Sequence, residues 1–195
     1  MSAPVRRNLG AVLLAALFTL SPIVSPAAAP DFATDGAAWQ VVNDGVMGGV
    51  SSSQVRSSLD GVLFSGTVRT EYSGGFASVR RAVEADAVAG EVSALALRVR
   101  GDGQRYRLTA YVRASGGGMQ SYSYFAEFET APDTVTEHSL DLAQFRATFR
   151  GRAVPDAPPL AWRAVAGLGL MLTKDGHRDG RGPFALMLLS LRPVP

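Results

Sequence analysis

The sequence predicts an all-β protein built as an antiparallel β-sandwich of the jelly-roll type. Short runs of alternating apolar and polar residues are separated by glycine-rich turns, as half-buried strands require. Helical periodicity is almost absent. A single helical turn is predicted at residues 141–149, where apolar side chains recur at Leu142, Phe145 and Phe149. A closed β-barrel is the main alternative, because it is built from the same kind of strands.

The first 29 residues are typical of a secretory signal peptide. Arg6 and Arg7 form a basic start, an apolar run covers residues 9–20, and small residues precede an expected cleavage after Ala27. The apolar run is too short to span a bilayer. We therefore expect a periplasmic or secreted protein, with a retained N-terminal anchor as the alternative.

Residues 30–195 suit a single domain with one core, and we expect a monomer. The formal net charge of +2 comes from the two leader arginines, so the exported chain is formally neutral. A neutral chain has no net basic field to attract phosphates, which argues against a nucleic-acid partner. The absence of cysteine excludes disulfides, thiol catalysis and thiolate metal sites.

Alternating runs predict half-buried strands in order along the chain, at residues 62–69, 95–99, 105–113 and 122–128. Two later segments, 164–172 and 184–191, are apolar at both alternating positions. They therefore predict strands that are buried on both faces.

Glycine clusters between the runs predict turns at residues 73–75, 101–103, 116–118 and 175–182. The turn around 101–103 favours a hairpin, since glycine and aspartate supply the special dihedral angles that a tight turn needs. The segment 175–182 favours a solvated hairpin loop. It lacks the alternating ligands of an EF-hand, and a bound calcium ion stays an open alternative there.

The segment 39–51 is the most informative part of the chain. Its glycines permit unusual backbone angles and lie beside an amide and an acid, which predicts a shaped loop rather than a strand or helix. We expect loops at one end of the sandwich to gather a recognition site. Its candidate residues are Asn43, Asp44, Met47, Gly48, Gly49, Ser51, Arg80, Arg100, Asp102, Arg105 and Tyr106.

The neighbouring residues Arg80 and Arg81 must point to opposite faces of a strand. At least one of them is then partly buried and needs a carboxylate partner, for which Asp44 and Asp102 are the candidates. We expect a structural ion pair that joins the glycine loops.

Catalytic patterns are absent from the sequence. Its serines lie outside a nucleophile elbow, and His138 and His177 are isolated, without metal-ligand spacing. Neither a phosphate-binding nor a dinucleotide-binding loop is present. We therefore predict a protein that is not an enzyme and needs no cofactor or metal, with a hydrolase as the weakest alternative.

Carbohydrate binding is a second hypothesis, because sugars pack on exposed aromatic rings beside planar hydrogen-bonding groups. Five aromatic residues could serve if they share one face: Tyr72, Tyr106, Tyr111, Tyr122 and Trp162.

Seven segments in order resemble the complex I intermediate-associated protein 30 family. They are the W-x-x-x-N-D-G-V-M-G-G-V-S run at 39–51, then 64–66, 74–80, 98–106, 149–152, 167–171 and 182–186. The resemblance implies a galactose-binding-like β-sandwich without catalytic activity. It also implies an assembly role, because members of the family bind intermediates of NADH:ubiquinone oxidoreductase. The expected partner is therefore a protein, with a respiratory-chain or other membrane complex as the candidate.

Overall fold

The computed structural model describes residues 29–88, 90–114, 116 and 118–195, and residues 1–28 of the expected leader lie outside them. The described part contains twelve strands. Their bounds are β1 Gln40–Val41, β2 Ser52–Ser58, β3 Gly61–Val68, β4 Phe76–Ala82, β5 Ala94–Arg100, β6 Arg105–Arg113, β7 Met119–Glu129, β8 Val135–Asp141, β9 Arg146–Phe149, β10 Arg152–Ala153, β11 Val165–Thr173 and β12 Gly182–Val194.

The helical structure of the described residues consists of short 3-10 turns. They are Gly36–Ala38, Asp44–Met47, Glu71–Ser73, Ala85–Ala87, Leu142–Gln144 and Trp162–Ala164. None of these turns is long and apolar enough to cross a membrane.

Two antiparallel sheets form a sandwich, which confirms the predicted fold class and excludes the closed barrel. One sheet has seven strands in the order β1-β4-β11-β6-β7-β9-β10, and the other has five in the order β2-β3-β12-β5-β8. Inward side chains of both sheets form one core, including Phe64, Leu108, Leu170, Leu186 and Leu188, each fully buried. The alternating runs predicted from the sequence correspond to β3, β5, β6 and β7.

Burial on both faces is confirmed for β11 but is wrong for β12. In β11, Gly167 and Gly169 point outward yet are buried beneath the ring of Tyr111. In β12 the outward residue Ala185 is exposed. An apolar residue at an outward position does not by itself show that something covers it.

The helical turn expected at 141–149 is shorter than predicted. It ends at Gln144, and the chain continues directly into β9. Leu142 and Phe145 are buried, but Phe149 lies in the strand and is 43% exposed. Local strand pairing with β7 therefore outweighs the helical spacing of three apolar residues.

The glycine turns at 101–103 and 175–182 are not hairpins, which corrects that prediction. Each joins strands of different sheets, β5 to β6 and β11 to β12. Three more loops, 42–51, 69–75 and 130–134, also pass between the sheets. Antiparallel pairing places all five loops at the same end of the sandwich, which we name the crossover end.

Candidate binding site

The crossover end is held together by a buried carboxylate. Asp44 has no exposed surface, and it accepts hydrogen bonds from the Ser51 hydroxyl (2.6 Å), the Ser51 amide (3.0 Å) and the Gly75 amide (2.7 Å). Burial by itself raises the pKa of Asp44. The hydrogen bonds from Ser51, Gly75 and Phe76 outweigh burial, so the pKa lies below its ordinary value of 3.8. Asp44 thus stays ionised and fixes loop 42–51 against loop 69–75.

The amide of Asn43 extends this clamp. Its Oδ1 accepts from the Ser53 hydroxyl in β2 at 2.8 Å and from the Ser78 amide in β4 at 3.1 Å, so it bridges the two sheets. Loops that leave a sheet lose their ladder hydrogen bonds, and side chains must then satisfy the buried amides. Asn43 and Asp44 supply those acceptors.

A second clamp forms around Asp102. Its carboxylate accepts from the Tyr106 hydroxyl at 3.0 Å and from the Ala185 amide in β12 at 2.8 Å. Nearby, the buried side-chain carbonyl of Gln104 accepts from the Arg178 amide at 2.5 Å. This network joins loop 101–104 to the strand that follows loop 174–181.

Several of the site residues predicted from the sequence therefore shape the loops or the core. Tyr106 was expected to be an exposed recognition side chain, and this is wrong, because the ring is fully buried in the core. Burial and the neighbouring Asp102 raise the pKa of the Tyr106 hydroxyl, which remains a hydrogen-bond donor.

The predicted glycines shape loop 42–51. Gly48 has a left-handed φ of 86°, and a Cβ at Gly49 would collide with the Asp44 carboxylate.

The clamped loops present exposed apolar side chains at the surface. Val46 is 76% exposed, Met47 54%, Val50 41% and Tyr72 77%. Because Asp44 joins the two loops that carry them, we treat these four residues together as the apolar tip. Two members of the tip were candidates in the sequence, Met47 for the recognition site and Tyr72 for sugar stacking.

The structure separates the two arginines from their expected partners. Neither pairs with Asp44 or Asp102, so the predicted ion pair is wrong. Arg81 is partly buried, donates to the carbonyl of Phe32 at 2.5 Å, and lies 5.1 Å from the Phe32 ring centroid. Burial lowers the pKa of Arg81 despite Asp35 and Asp31 nearby.

Arg80 belongs to a second surface, the outer face of the seven-stranded sheet. Its guanidinium carbon lies 4.1 Å from the ring centroid of Tyr111. The Tyr111 ring rests over two glycines of β11, where a Cβ at Gly169 would lie 3.0 Å from Cε2 of the ring. Glycine at this position therefore lets the ring lie low on the sheet. Burial raises the pKa of Tyr111, although Arg80 opposes this.

A second aromatic stack continues this surface on β7. The guanidinium carbons of Arg107 and Arg146 lie 4.4 and 5.0 Å from the ring centroid of Phe125. Arg107 also pairs with Glu127 at 2.9 Å, and Arg146 and Arg105 approach the same carboxylate at 3.7 Å. We name this surface the arginine–aromatic face, defined by Arg80, Arg107, Tyr111, Phe125 and Arg146.

Sequence reasoning named Arg80 and Tyr111 but missed the other members of this face. The alternation of residues along β6 and β7 indicated this surface. Tyr111 and Phe125 occupy the alternate positions that carry charged residues, not those that face the core. An aromatic ring at a polar position of a strand indicates a surface contact.

The five aromatic residues proposed for sugar stacking do not share a face, so that expectation is wrong. Trp162 and Tyr106 are buried, Tyr72 lies at the apolar tip, Tyr111 lies on the outer face, and Tyr122 packs against Tyr124. Burial and the neighbouring Tyr122 raise the pKa of Tyr124 to about 12.

The remaining candidate site residue is Arg100, and two histidines were also considered in the sequence. Arg100 is exposed at the end of β5 beside the crossover end. His177 is buried, and its ring nitrogens contact the Asp179 amide and the Pro183 carbonyl. His138 contacts the Thr136 hydroxyl. The described residues contain no group of three or more acidic or histidine side chains that could hold a metal ion.

Comparisons with known proteins agree on the architecture. The model of the family described as complex I intermediate-associated protein 30 matches residues 30–188. No curated protein matches the chain in sequence.

Two solved structures share the fold. One is a family 11 carbohydrate-binding module of the cellulosomal cellulase Lic26A-Cel5E of Clostridium thermocellum, with 11% identity, a TM-score of 0.59, and coverage of 86% of this chain and 97% of that chain. The other is a family 11 module from the same organism in complex with a β-1,3-1,4-mixed-linked tetrasaccharide, with 12% identity, a TM-score of 0.57, and coverage of 85% and 97%. At this identity the likeness shows the fold alone.

Proposed function

Because the chain belongs to the complex I intermediate-associated protein 30 family, we propose that it is an exported, non-catalytic binding module that acts as an assembly or chaperone-like factor. It works through protein contact at the crossover end. The partner that the family description favours is an intermediate of respiratory complex I, or another membrane complex.

The observation that carries this proposal is the apolar tip on clamped loops. Val46, Met47 and Tyr72 are each more than half exposed, although valine and methionine are among the side chains most often buried. Asp44 links the two loops that carry these side chains. Exposed apolar patches are typical of protein-binding sites, and methionine adapts its shape to varied partners.

The Asp44 clamp supports the same proposal. Binding costs free energy when a flexible loop must be ordered, and a loop that is already fixed avoids most of that cost. Four hydrogen bonds to one buried carboxylate fix loop 42–51 before any partner arrives. Glycine at positions 49 and 74 permits this packing, because a Cβ at either position would collide with the Asp44 carboxylate.

Site-specific photo-crosslinking tests the proposal in cells that make the full chain. A photoreactive amino acid at Met47 is expected to capture subunits of a membrane complex. The control position is Leu59, which is even more exposed than Met47 but lies in the β2–β3 turn at the opposite end. Equal capture from both positions, or none from Met47, contradicts docking at the crossover end.

A functional readout complements crosslinking. Met47→Glu should leave the protein folded, since the side chain is exposed, but should impair maturation of the captured complex in a deletion strain.

Fractionation and N-terminal sequencing test export, with Ala28 expected as the first residue of the mature chain. Retention in the cytoplasm overturns the exported part of the proposal.

Carbohydrate binding is the second candidate function, and the arginine–aromatic face favours it. Flat stacked groups on the outer face of a sheet suit the flat faces of pyranose rings, and planar guanidinium groups bind oxygen atoms in pairs. Binding of oligosaccharides with perturbation of Tyr111 and Phe125 resonances would support this candidate. No binding at millimolar concentration would eliminate it.

A further inference from the structure

We propose that the arginine–aromatic face binds a linear acidic polysaccharide through its uronate carboxylates. This inference rests on the second candidate function, carbohydrate binding, and names the class of ligand. It is independent of protein docking at the crossover end, which uses other residues.

A ligand that approaches this face meets guanidinium groups rather than bare aromatic rings. Arg80 covers the Tyr111 ring, whose lower side rests on β11, and Arg107 and Arg146 lie close to the Phe125 ring. A neutral sugar that stacks on a bare ring would have to displace these side chains. A carboxylate instead binds a planar guanidinium with two parallel hydrogen bonds.

Stacking also prepares the arginines for binding. A free arginine loses rotamer freedom when it grips a ligand, whereas a guanidinium held against a ring has lost much of it already. Nη2 and Nε of Arg107 also contact Oε1 of Glu127 at 2.9 and 3.0 Å. The guanidinium planes are therefore positioned before the ligand binds.

The face carries an excess of positive charge, although the exported chain as a whole is formally neutral. Among the described residues, Arg80, Arg107, Arg146 and the neighbouring Arg105 are matched by two carboxylates within salt-bridge distance, those of Glu127 and Glu129. One carboxylate, Glu127, lies within 4.0 Å of three of these arginines and cannot neutralise them all. Among the described residues, Arg80 has no carboxylate within salt-bridge distance. These charges complement an anionic ligand.

The spacing of the two stacks favours a polysaccharide over a peptide. The Tyr111 ring lies over β11 and Phe125 stands on β7, with β6 between them, so the stacks are two strand spacings apart, roughly 10 Å. In an extended β-linked uronan, carboxylates on one side recur every second sugar, a length similar to this separation. Same-side carboxylates of an extended acidic peptide recur every second residue, about 6.8 Å apart.

A matched pair of ligands tests the inference. Titration calorimetry would compare a uronate octasaccharide with the same octasaccharide methyl-esterified at its carboxyls, at roughly 150 mM salt, where long-range attraction is screened. The acid form should bind at least tenfold more tightly than its ester. Arg80→Gln and Arg146→Gln should each weaken binding by roughly tenfold, as expected for a lost charge-assisted hydrogen bond.

Arg98→Gln is the control variant. Arg98 is also exposed and paired with a glutamate, Glu137 at 3.3 Å, but it stands on the five-stranded sheet. Its affinity for the acid should stay within about twofold of wild type. Thermal unfolding of each variant shows that the fold is retained.

The outcomes separate the inference from the function on which it rests. Equal binding of acid and ester, with Tyr111 perturbed, would leave carbohydrate binding standing and overturn the acidic class. Binding of neither would remove both. Equally tight binding of a polyglutamate of the same charge, or an unchanged affinity in Arg80→Gln, would also overturn the inference.

Discussion

The Asp44 carboxylate accepts a 2.6 Å hydrogen bond from the Ser51 hydroxyl at a position with no exposed surface. The same carboxylate oxygen accepts from the Gly75 amide at 2.7 Å. Ser51 in turn accepts from the Arg69 amide at 2.9 Å, so three segments meet at one buried charge. This point determines the shape of the crossover end.

Replacing Asp44 by asparagine should destabilise the protein by about 2–4 kcal/mol, because an amide NH2 would then face backbone donors in a buried site. Urea denaturation measures the free energy of unfolding. Asp60→Asn is the control, since Asp60 is exposed in the β2–β3 turn and should cost no more than about 0.5 kcal/mol. Similar losses in both variants would contradict a clamp at Asp44.

Acid should weaken the fold through Asp44 and Asp31. Burial raises the pKa of each, but hydrogen bonds outweigh it, and both pKa values lie below 3.8 in the folded protein. The unfolded chain therefore binds these protons first as the pH falls. The stability that these carboxylates contribute is fully present above about pH 5 and is lost progressively below about pH 4.

Thermal unfolding between neutral pH and about pH 3 measures this dependence. Asp44→Asn should start from a lower stability at neutral pH and lose less of it on acidification. A variant curve that runs parallel to wild type would show that Asp44 does not contribute to the acid transition.

Two glycines of the same loop should respond oppositely to alanine. A Cβ at Gly49 would collide with the Asp44 carboxylate, whereas a Cβ at Gly45 would meet nothing within 4 Å. Gly49→Ala should therefore cost about 2 kcal/mol or more. Gly45→Ala should be neutral or stabilising by up to about 1 kcal/mol, because it restricts the unfolded chain. Equal effects in urea denaturation would exclude close packing at Gly49.

The hydroxyl of Tyr106 should matter more than that of Tyr72. Tyr106 is fully buried and its hydroxyl lies 3.0 Å from both Asp102 oxygens, while Tyr72 is 77% exposed. Tyr106→Phe keeps the ring but removes a donor to a carboxylate, at an expected cost of about 1–3 kcal/mol. Tyr72→Phe should change the free energy of unfolding by less than about 0.5 kcal/mol. A neutral Tyr106→Phe would show that water replaces the lost donor.

Part of the candidate site was predictable from local patterns. Glycine beside Asn43 and Asp44 predicted a shaped loop, and the loop is indeed shaped by those two side chains. Their hydrogen-bond partners were not predictable, because Gly75 and Ser78 lie more than thirty residues away along the chain. Tyr106 was misassigned because a residue beside a turn can point inward as readily as outward.

The arginine–aromatic face was likewise predictable in part from local patterns and in part not. Alternation along β6 and β7 places Tyr111 and Phe125 on the polar side of their strands. Only the pairing of β6 with β11, and of β11 with β4, brings Gly169 beneath Tyr111 and Arg80 above it. The expected partner of Arg80 was therefore a carboxylate, whereas the structure supplies a ring.

The sequence by itself determined the fold class, six of the twelve strands and the family, because side-chain alternation and glycine turns are properties of neighbouring residues. The tertiary structure alone decided that five loops cross between the sheets at one end, and that distant strands place arginines over aromatic rings. The physical reason is that sheet order and loop contacts depend on hydrogen bonding between segments far apart in the chain, which no local pattern specifies.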